Sequence, residues 1–361
     1  MTNTYNMTKE EMSLNGSYVE HTIGTPKPNE TMSSESGLSH VEVVLITMYI
    51  PFLLVAAFGN LLVILVRVRK FKSHGLSAYK QLICHLSVAD IVCAMAIPLD
   101  IYLKINKKDW LQHSHTCKFI QTSLSASLTA SICILTAMAF ERYQGISNPL
   151  AHHWSTKKVT VLAIVIWIYS YANFIPYARA LDVEEERCSD NHYPSPQFVK
   201  WYTLFQFFSN WLVPLIFIIV FHFGMVIKVI SHRRTIKRST YHTPSTQNQC
   251  NKQPSRANQK KRKMVKILVV IVTLFALLTL PNHIWYLWYE FSDRSEKQNY
   301  NLAILEIFAA FVYLHTAVNP VIYSIMDRSF RDDVKMLFNY KPTQPEAVRM
   351  RAINGATQES F

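Results

Sequence analysis

An acidic and a basic side chain stand next to each other where a long apolar stretch ends. Residues 119–140 form a run of 22 residues without a charge, and Glu141, Arg142 and Tyr143 follow directly. A guanidinium stays charged and can exchange one carboxylate partner for another, so this pair could act as a switch. The alternative is an arginine that only extends from a helix end towards water.

Three more acids lie inside apolar stretches: Asp90, Asp100 and Glu306. Ionisable groups are expensive in lipid, and where they occur they mark ligand or ion pathways. The patterns of catalysis are missing, because the chain has no HExxH pair, no nucleophile elbow and no phosphate-binding loop among its eight glycines. We therefore expect a binding or signalling protein with no catalytic residue and no resident metal.

Long apolar segments must position these side chains. Only 17% of the 361 residues are charged, whereas a soluble domain has about 25%. Seven segments are apolar enough to cross a hydrocarbon layer about 30 Å thick. They are residues 43–66, 81–103, 117–140, 159–178, 201–227, 267–289 and 301–326. The sequence predicts an all-α membrane protein, with a seven-transmembrane helix bundle over residues 41–327, and not a soluble helical bundle.

The distribution of charge predicts which side each loop faces. Residues 228–266 contain twelve Lys or Arg and no acid, which is typical of a cytoplasmic loop. Residues 1–42 contain six acids and two lysines, and residues 179–200 contain five acids and three bases. Seven spans then place the N-terminus outside and the C-terminus inside.

The N-terminal segment carries three glycosylation sequons, at Asn6, Asn15 and Asn29. All three acceptor sites precede the first span, which agrees with an extracellular N-terminus. We expect residues 1–40 to be a disordered, glycosylated extracellular tail, without a cleavable signal peptide.

The cysteines differ in their predicted surroundings. Four of them fall within spans or in the basic loop: Cys84, Cys93, Cys133 and Cys250. The other two, Cys117 and Cys188, share the oxidising side and can form a disulfide. His113 and His115 with Cys117 would permit a metal site by spacing alone, but a solvated loop is the preferred interpretation.

These segments carry a set of residues, one group for each span, that resembles the rhodopsin-like (class A) G-protein-coupled receptors. The resemblance covers residues 41–340. It rests on Gly59-Asn60 with Val63, LSVAD ending at Asp90, Trp110, Cys117, Glu141-Arg142-Tyr143 with Pro149, Trp167, Pro214, Phe275 with Pro281, Asn319-Pro320-Val321-Ile322-Tyr323 and Phe330-Arg331. The resemblance implies that Arg142 is released on activation and that a heterotrimeric G protein is the partner. It also gives Asn319, Pro320 and Tyr323 a role in activation.

The resemblance further implies a polar cavity in the bundle that can hold an allosteric sodium ion. Its residues would be Asp90 and Asn60 with Ser131, His315 and Asn319. A cation with hydroxyl and amide ligands would offset the desolvation of the carboxylate. The alternative is a protonated, hydrogen-bonded Asp90.

The chain departs from the family pattern at four positions. Thr279 stands where most relatives have a tryptophan, and Leu278 stands where a cysteine is common. His222 replaces a tyrosine of the fifth span, so the usual water-bridged link to the seventh span is not expected. Lys261 stands where some relatives have an acid that holds the arginine, and its presence predicts signalling without ligand.

Two ligand classes can be argued against. Leu124 stands where amine receptors have an aspartate, and a leucine cannot be the counter-ion of an ammonium group. Tyr313 stands where opsins have a lysine, and a tyrosine cannot form a Schiff base with retinal.

The outer end of the bundle is acidic and aromatic. The candidate ligand-binding residues are Asp100, Gln121, Leu124, His283, Tyr286, Glu290, Glu306 and Tyr313. Carboxylates above an aromatic wall suit a cationic ligand, and we expect a short basic or amidated peptide, as in receptors of the neuropeptide Y, RFamide and tachykinin kind. The alternatives are a solvated face with an interfacial aromatic belt, a non-peptide small ligand, or a seven-span transporter.

The remaining segments predict partners on the cytoplasmic side of the plasma membrane. The basic loop 228–266 has many Ser and Thr residues, so we expect receptor kinases, arrestin and anionic lipid as partners, and no nucleic acid. Residues 328–339 predict an amphipathic helix along the membrane, followed by a cytoplasmic tail, residues 340–361.

Overall fold

The structure is a computed structural model that describes residues 40–74, 77–105, 113–148, 154–184, 187–241, 256–292 and 302–338. The helices and strands in these ranges are α1 (His40–His74), α2 (Ala78–Ile105), α3 (Ser114–Ser147), α4 (Thr156–Asn173), α5 (Ile175–Ala180), β1 (Asp182–Glu184), β2 (Arg187–Ser189), α6 (Pro196–Phe207), a π-helical segment (Phe208–Leu212), α7 (Val213–Tyr241), α8 (Arg256–Phe291), α9 (Leu302–Met326) and α10 (Arg328–Phe338).

Seven of these helical stretches are long and apolar enough to cross a membrane, which confirms the predicted fold class. They are Tyr49–Arg69, Ala78–Tyr102, Ser114–Ser147, Thr156–Ala180, Pro196–Lys228, Lys263–Phe291 and Ile307–Met326. The short helix predicted after the seventh span is also present as α10.

Helix continues into the predicted third cytoplasmic loop from both sides. α7 ends at Tyr241 and α8 begins at Arg256, so much of residues 228–266 is helical. The sequence explains this extension, because residues 228–241 contain no glycine or proline, whereas prolines occur at positions 244 and 254. Proline disfavours a continued helix and is tolerated near a helix start.

Two helices begin at serines that cap their first turn. Ser155 Oγ accepts a hydrogen bond from the Lys158 backbone N–H (3.3 Å), and Ser195 Oγ accepts one from the Phe198 N–H (3.2 Å). Each cap satisfies one of the backbone donors that a helix start leaves without an intrahelical partner. These caps place the starts of α4 and α6 at defined residues.

The fourth span contains a break next to a proline, and the fifth span bonds to the backbone at this break. α4 ends at Asn173 and α5 begins at Ile175, one residue before Pro176. Two side chains of α6 bond to the carbonyl oxygen of Asn173, Tyr202 through its hydroxyl (2.9 Å) and Gln206 through Nε2 (3.2 Å). A backbone carbonyl inside a bilayer needs such a partner, so this contact joins the two spans at the break.

The third helix occupies the centre of the bundle. In the most apolar 18-residue stretch of this span 72% is buried, whereas the buried share is 22 to 56% in the corresponding stretches of the other six spans. Other spans carry large apolar side chains on their outer faces. Examples that are 65 to 70% exposed are Phe58, Ile168, Phe223 and Ile325. Large apolar side chains that point away from the core are expected on a surface in contact with lipid.

The first and seventh spans approach each other closely at a glycine. A Cβ atom on Gly59 of α1 would lie 2.7 Å from Cβ and Cγ of Pro320 in α9. That distance is shorter than van der Waals contact, so only glycine fits at this position without displacing the proline ring.

A two-stranded hairpin lies between the fourth and fifth spans. β1 and β2 pair antiparallel, with Val183 opposite Cys188. Cys188 forms a disulfide with Cys117 near the start of α3, with the two Cα atoms 5.7 Å apart, and this confirms the predicted pairing. Because Cys117 is in the disulfide, it is not available for the alternative metal site with His113 and His115.

Candidate functional site

The two ends of α3 carry the two groups of predicted functional residues. Cys117 and Arg142 are 25 residues apart in this helix, which corresponds to about 38 Å at about 1.5 Å per residue. We call the two ends of the bundle the disulfide end and the arginine end.

At the arginine end, Arg142 is held by three neighbours. Its Nε and Nη2 donate to the Glu141 carboxylate at 2.5 and 2.7 Å, and Nη1 contacts Met264 Sδ of α8 at 3.5 Å. The guanidinium carbon also lies 4.3 Å from the ring centre of Tyr79 in α2. Glu141 and Tyr79 are both buried, so the cation–π contact is shielded from water.

Tyr143 packs against the fifth span. Its ring stacks on Phe221 with the ring centres 5.8 Å apart, and a Cβ atom on Gly224 would lie 2.7 Å from Tyr143 Cε2. The glycine therefore makes room for the tyrosine ring.

A buried polar cluster surrounds Asp90. Asn319 Nδ2 donates to Asp90 Oδ2 at 2.7 Å and Ser131 Oγ donates to Oδ1 at 3.5 Å. His315 Nε2 lies 4.0 Å from Oδ1, while its Nδ1 bonds to the Val312 carbonyl. Asn319, Ser131 and His315, three of the predicted sodium-site residues, are thus brought together at Asp90.

α1 and α2 each contain a buried side-chain oxygen without a hydrogen-bond partner among the residues that the structure describes. Asn60 Nδ2 donates to the carbonyls of Ala56 and Thr316 (both 2.9 Å), but its Oδ1 has no hydrogen-bond partner in the described part of the chain. The same holds there for Ser87 Oγ, one turn before Asp90 in α2. Carboxylate, amide and hydroxyl oxygens are the ligands that hard cations prefer, so the chemistry of these residues fits a sodium ion.

The fifth and sixth spans meet at the atypical Thr279. Trp211 Nε1 of the π-helical segment donates to Thr279 Oγ1 at 2.9 Å, and the two residues are 6% and 0% exposed. Among the described residues neither His222 Nε2 nor the Tyr323 hydroxyl has a hydrogen-bond partner. The water-bridged link that the sequence argued against lacks its fifth-span tyrosine, because His222 stands at that position.

At the disulfide end, three of the predicted ligand-binding residues form one group. Asp100 accepts a hydrogen bond from Gln121 Nε2 on Oδ1 (2.5 Å) and one from the Tyr313 hydroxyl on Oδ2 (3.2 Å). The carboxylate thereby joins α2, α3 and α9, and it is only 2% exposed. Leu124 packs beside it in an apolar cluster with Ile97.

The sixth span contributes a second, more open group. His283 lies 5.4 Å from Trp211 between ring centres, Tyr286 is 50% exposed, and Glu290 lies one turn further along. Tyr193, in the loop after the hairpin, is within electrostatic range of both Tyr286 and Glu290. Burial and the nearby Asp190 carboxylate raise the pKa of the Tyr193 hydroxyl well above its usual value, so it remains a donor at neutral pH.

Several predicted residues lie outside the part that the structure describes. These are the sequons at Asn6, Asn15 and Asn29, the tail from residue 339 onward, and the side chains of Lys261 and Glu306.

Sequence reasoning missed a buried ion cluster at the arginine end. Arg67 of α1 is 1% exposed; its Nη2 lies 3.5 Å from Asp327 Oδ2 and its Nη1 lies 3.7 Å from Asp333 Oδ2. Its Cζ lies 5.7 Å from the ring centre of Phe330. In the sequence Arg67 is one of several basic residues after a span, and nothing in its spacing indicates carboxylates about 260 residues away.

Comparison with known proteins identifies relatives of this chain. Pyroglutamylated RF-amide peptide receptor of Mus musculus is 26% identical over 291 residues, covering 76% of this chain and 65% of the relative. Cysteinyl leukotriene receptor 1 of Sus scrofa is 26% identical over 194 residues, or 52% of this chain. Melanin-concentrating hormone receptor 1 of Sus scrofa is 27% identical over 189 residues, covering 50% of this chain and 54% of the relative.

The matches do not extend over whole relatives, since the chain covers only 56% of the leukotriene receptor's length. The family profile described as 7 transmembrane receptor (rhodopsin family) matches residues 59–323, from the glycine that contacts Pro320 to Tyr323. Seven candidate spans and this match indicate a multi-pass plasma-membrane protein whose family is one of receptors and not of enzymes. It belongs to the rhodopsin family of seven-transmembrane receptors.

Proposed function

We propose that this receptor binds an extracellular ligand at the disulfide end and activates a heterotrimeric G protein at the arginine end. The observation that supports this most is the setting of Arg142, which bonds to Glu141 of its own helix and, among the described side chains of α8, contacts Met264. A thioether is a weak acceptor. An outward movement of α8 would therefore break one weak contact, and it would expose the Arg142 guanidinium to a partner.

The matching experiment is nucleotide exchange on purified G proteins with the receptor in nanodiscs. The wild type should accelerate exchange, and Arg142→Ala should remove the acceleration. Arg331→Ala is a suitable control, because Arg331 is an exposed arginine whose hydrogen bonds go to backbone carbonyls of α9. Equal exchange with and without Arg142 would contradict the proposal.

For the ligand we propose a short basic or amidated peptide. The buried Asp100 carboxylate, with Gln121 and Tyr313 around it, would be the anchor for a cationic or amide group. The more open Tyr286 and Glu290 would contact the rest of the peptide. The RF-amide peptide receptor among the relatives supports this class.

A synthetic library of short basic and amidated peptides tests this ligand class. A hit should lose potency with Asp100→Asn and with Glu290→Gln. The Asp332→Asn variant removes an exposed carboxylate of α10 at the other end of the bundle and should leave potency unchanged. A hit that is insensitive to both pocket substitutions would contradict the assignment of the pocket.

The second candidate is a non-peptide small ligand. It is favoured by the relatives named cysteinyl leukotriene receptor 1, and by the position of Asp100, which is 2% exposed and already accepts hydrogen bonds from Gln121 and Tyr313. A transporter is disfavoured by the family match. Activation by a non-peptide lipid or metabolite panel, with no response to the peptide library, would select the small-ligand alternative.

We further propose that Asp90 and Ser131, with Asn319 and Asn60, hold a sodium ion in the resting receptor. The unpartnered Asn60 Oδ1 and the carboxylate of Asp90 are the oxygens that support this. An ion bound only to the resting state would stabilise that state by mass action. Kinases, arrestin and anionic lipid remain proposed partners of the arginine end.

A further inference from the structure

Thr279 is a polar residue that is fully buried in the middle of an apolar helix. It is 0% exposed, and its hydroxyl has two hydrogen bonds: it donates to the Phe275 carbonyl at 2.8 Å and accepts from Trp211 Nε1 at 2.9 Å. The first bond lies within α8, whereas the second reaches the fifth span. An indole N–H buried without an acceptor would be unfavourable, so the two residues need each other.

The backbone that carries Trp211 is itself irregular. The Val213 N–H bonds to the Phe208 carbonyl five residues earlier, which is the π-helical pattern. Pro214 follows, and since it has no N–H it cannot make the α-helical bond at this point. One extra residue in the turn brings both Asn210 and Trp211 into the interior, where they are 7% and 6% exposed.

These two neighbouring residues are bonded in different directions. Asn210 Oδ1 accepts from the Tyr169 hydroxyl of α4 at 3.3 Å, and its Nδ2 bonds to Gln206. Trp211 bonds to Thr279 of α8. Loss of the extra residue of the π turn would rotate the helix on one side of it by about 100°, so these bonds cannot all persist in an α-helical register. Single π turns are frequently found at functional sites.

The indole also packs against two other rings. Its ring stacks on Phe207 of α6 at 5.4 Å between centres and lies 5.4 Å from His283 of α8, and Phe207 and His283 are 6.1 Å apart. His283 is one of the candidate ligand-binding residues, and it lies one turn of α8 from Thr279. A ligand that displaces the indole from this stack would break the Trp211–Thr279 bond.

We propose that Trp211 is a positioning residue that latches α8 to the π-helical segment in the resting receptor, and that a ligand releases the latch by displacing the stack of Phe207, Trp211 and His283. The proposal rests on the receptor function proposed above. Most relatives have a tryptophan at the position of Thr279 in the sixth span. In this chain the aromatic side chain at the contact is Trp211 of the fifth span. Release of the hydrogen bond frees α8 to move at the arginine end, where, among the α8 side chains that the structure describes, Met264 contacts Arg142.

The test measures the position of α8 directly and requires no ligand or G protein. A trifluoromethyl probe is attached through the substitution Lys266→Cys, at an exposed site of α8, in a variant that also has Cys250→Ser, and the receptor is placed in nanodiscs. Fluorine NMR then gives the ratio of released to resting states. Thr279→Val, which keeps the shape and removes the hydroxyl, should raise this ratio roughly 2- to 13-fold, the range for one net hydrogen bond.

Trp211→Phe should raise the ratio by a similar factor, and the double variant should raise it no further than either single variant, because all three remove the same bond. Thr279→Ser retains the hydroxyl and should behave as the wild type. Thr136→Val is the matched control, since the Thr136 hydroxyl bonds only to the Ile132 carbonyl of its own helix (2.8 Å).

A fall in thermal stability with an unchanged ratio in Thr279→Val and Trp211→Phe would overturn the latch, because it would show a purely structural bond. Additive effects in the double variant would overturn it as well. If the ratio shifts as expected but no G protein responds to the receptor, the proposed function fails and the latch stands.

Discussion

Tyr79 should hold the receptor in its resting state through its ring. The guanidinium carbon of Arg142 lies 4.3 Å from the ring centre, and Tyr79 is 3% exposed while the Arg142 side chain is 18% exposed. Cation–π contacts contribute about 0.5–1 kcal/mol at exposed sites and about 2 kcal/mol when desolvated. For this partly desolvated pair we take about 1–2 kcal/mol.

That free energy converts into a change of population. If the resting state loses about 1–2 kcal/mol, the equilibrium constant between the resting and the active state changes by about 5- to 30-fold. With an active fraction of about 1% in the wild type, Tyr79→Leu should raise this fraction to about 5–25%. Ligand-free nucleotide exchange on a purified G protein, normalised to the amount of folded receptor, should rise in the same proportion.

Tyr79→Phe is the matched control. It keeps the ring and removes a hydroxyl that has no hydrogen-bond partner among the described residues, so ligand-free exchange should not change and thermal stability should not fall. The reasoning is refuted if Tyr79→Leu exchanges at the wild-type rate while folded. It is also refuted if Tyr79→Phe is as active as Tyr79→Leu, because the hydroxyl would then be the restraint.

Three further outcomes follow from contacts described above. Gly224→Ala places a Cβ atom 2.7 Å from the Tyr143 ring, so the ring must move and G-protein coupling should change by several-fold in the exchange assay. Asp327→Asn removes one of the two carboxylates next to the buried Arg67 and should lower stability by about 1.5–3 kcal/mol, the range for a hydrogen bond to a charged group, seen as a lower Tm in a thiol-reactive dye assay. Asp90→Asn should abolish the rise in Tm that sodium chloride, compared with choline chloride, gives the wild type.

Each of the three has its own control. Phe223→Leu changes a 67% exposed, lipid-facing neighbour of Gly224 and should leave coupling intact. Asp332→Asn breaks a pair whose side chains are 81% and 57% exposed and should change stability by less than about 0.5 kcal/mol. A sodium effect that persists in Asp90→Asn would show that the ion acts elsewhere.

The spans and the disulfide could be predicted from the sequence, because both depend on properties that are read along the chain. Hydrocarbon thickness requires about twenty apolar residues, and the side of the membrane decides which cysteines can oxidise. The helix ends were less predictable. α7 continues to Tyr241 because no breaker follows the span, although the high charge of that stretch suggested a loop.

The surroundings of the predicted residues could not be obtained in this way. The contacts of Arg142 with Tyr79 and Met264, and those of Arg67 with the carboxylates near α10, depend on how distant helices pack. The sequence did show that Thr279 is unusual. That Trp211 bonds to it follows only from the π turn, which rotates the side chain to a face that a regular helix would not give it.

The close approach of Gly59 and Pro320 limits the evolution of the sequence as well as the packing of the helices. Because a methyl group at position 59 would overlap the pyrrolidine ring, the two positions cannot mutate independently. Orthologous chains in which the glycine has become alanine should therefore have exchanged the proline for a smaller or more pliable residue. A collection of such chains with alanine opposite an unchanged proline would show that the first helix can retreat from the seventh without loss of fitness.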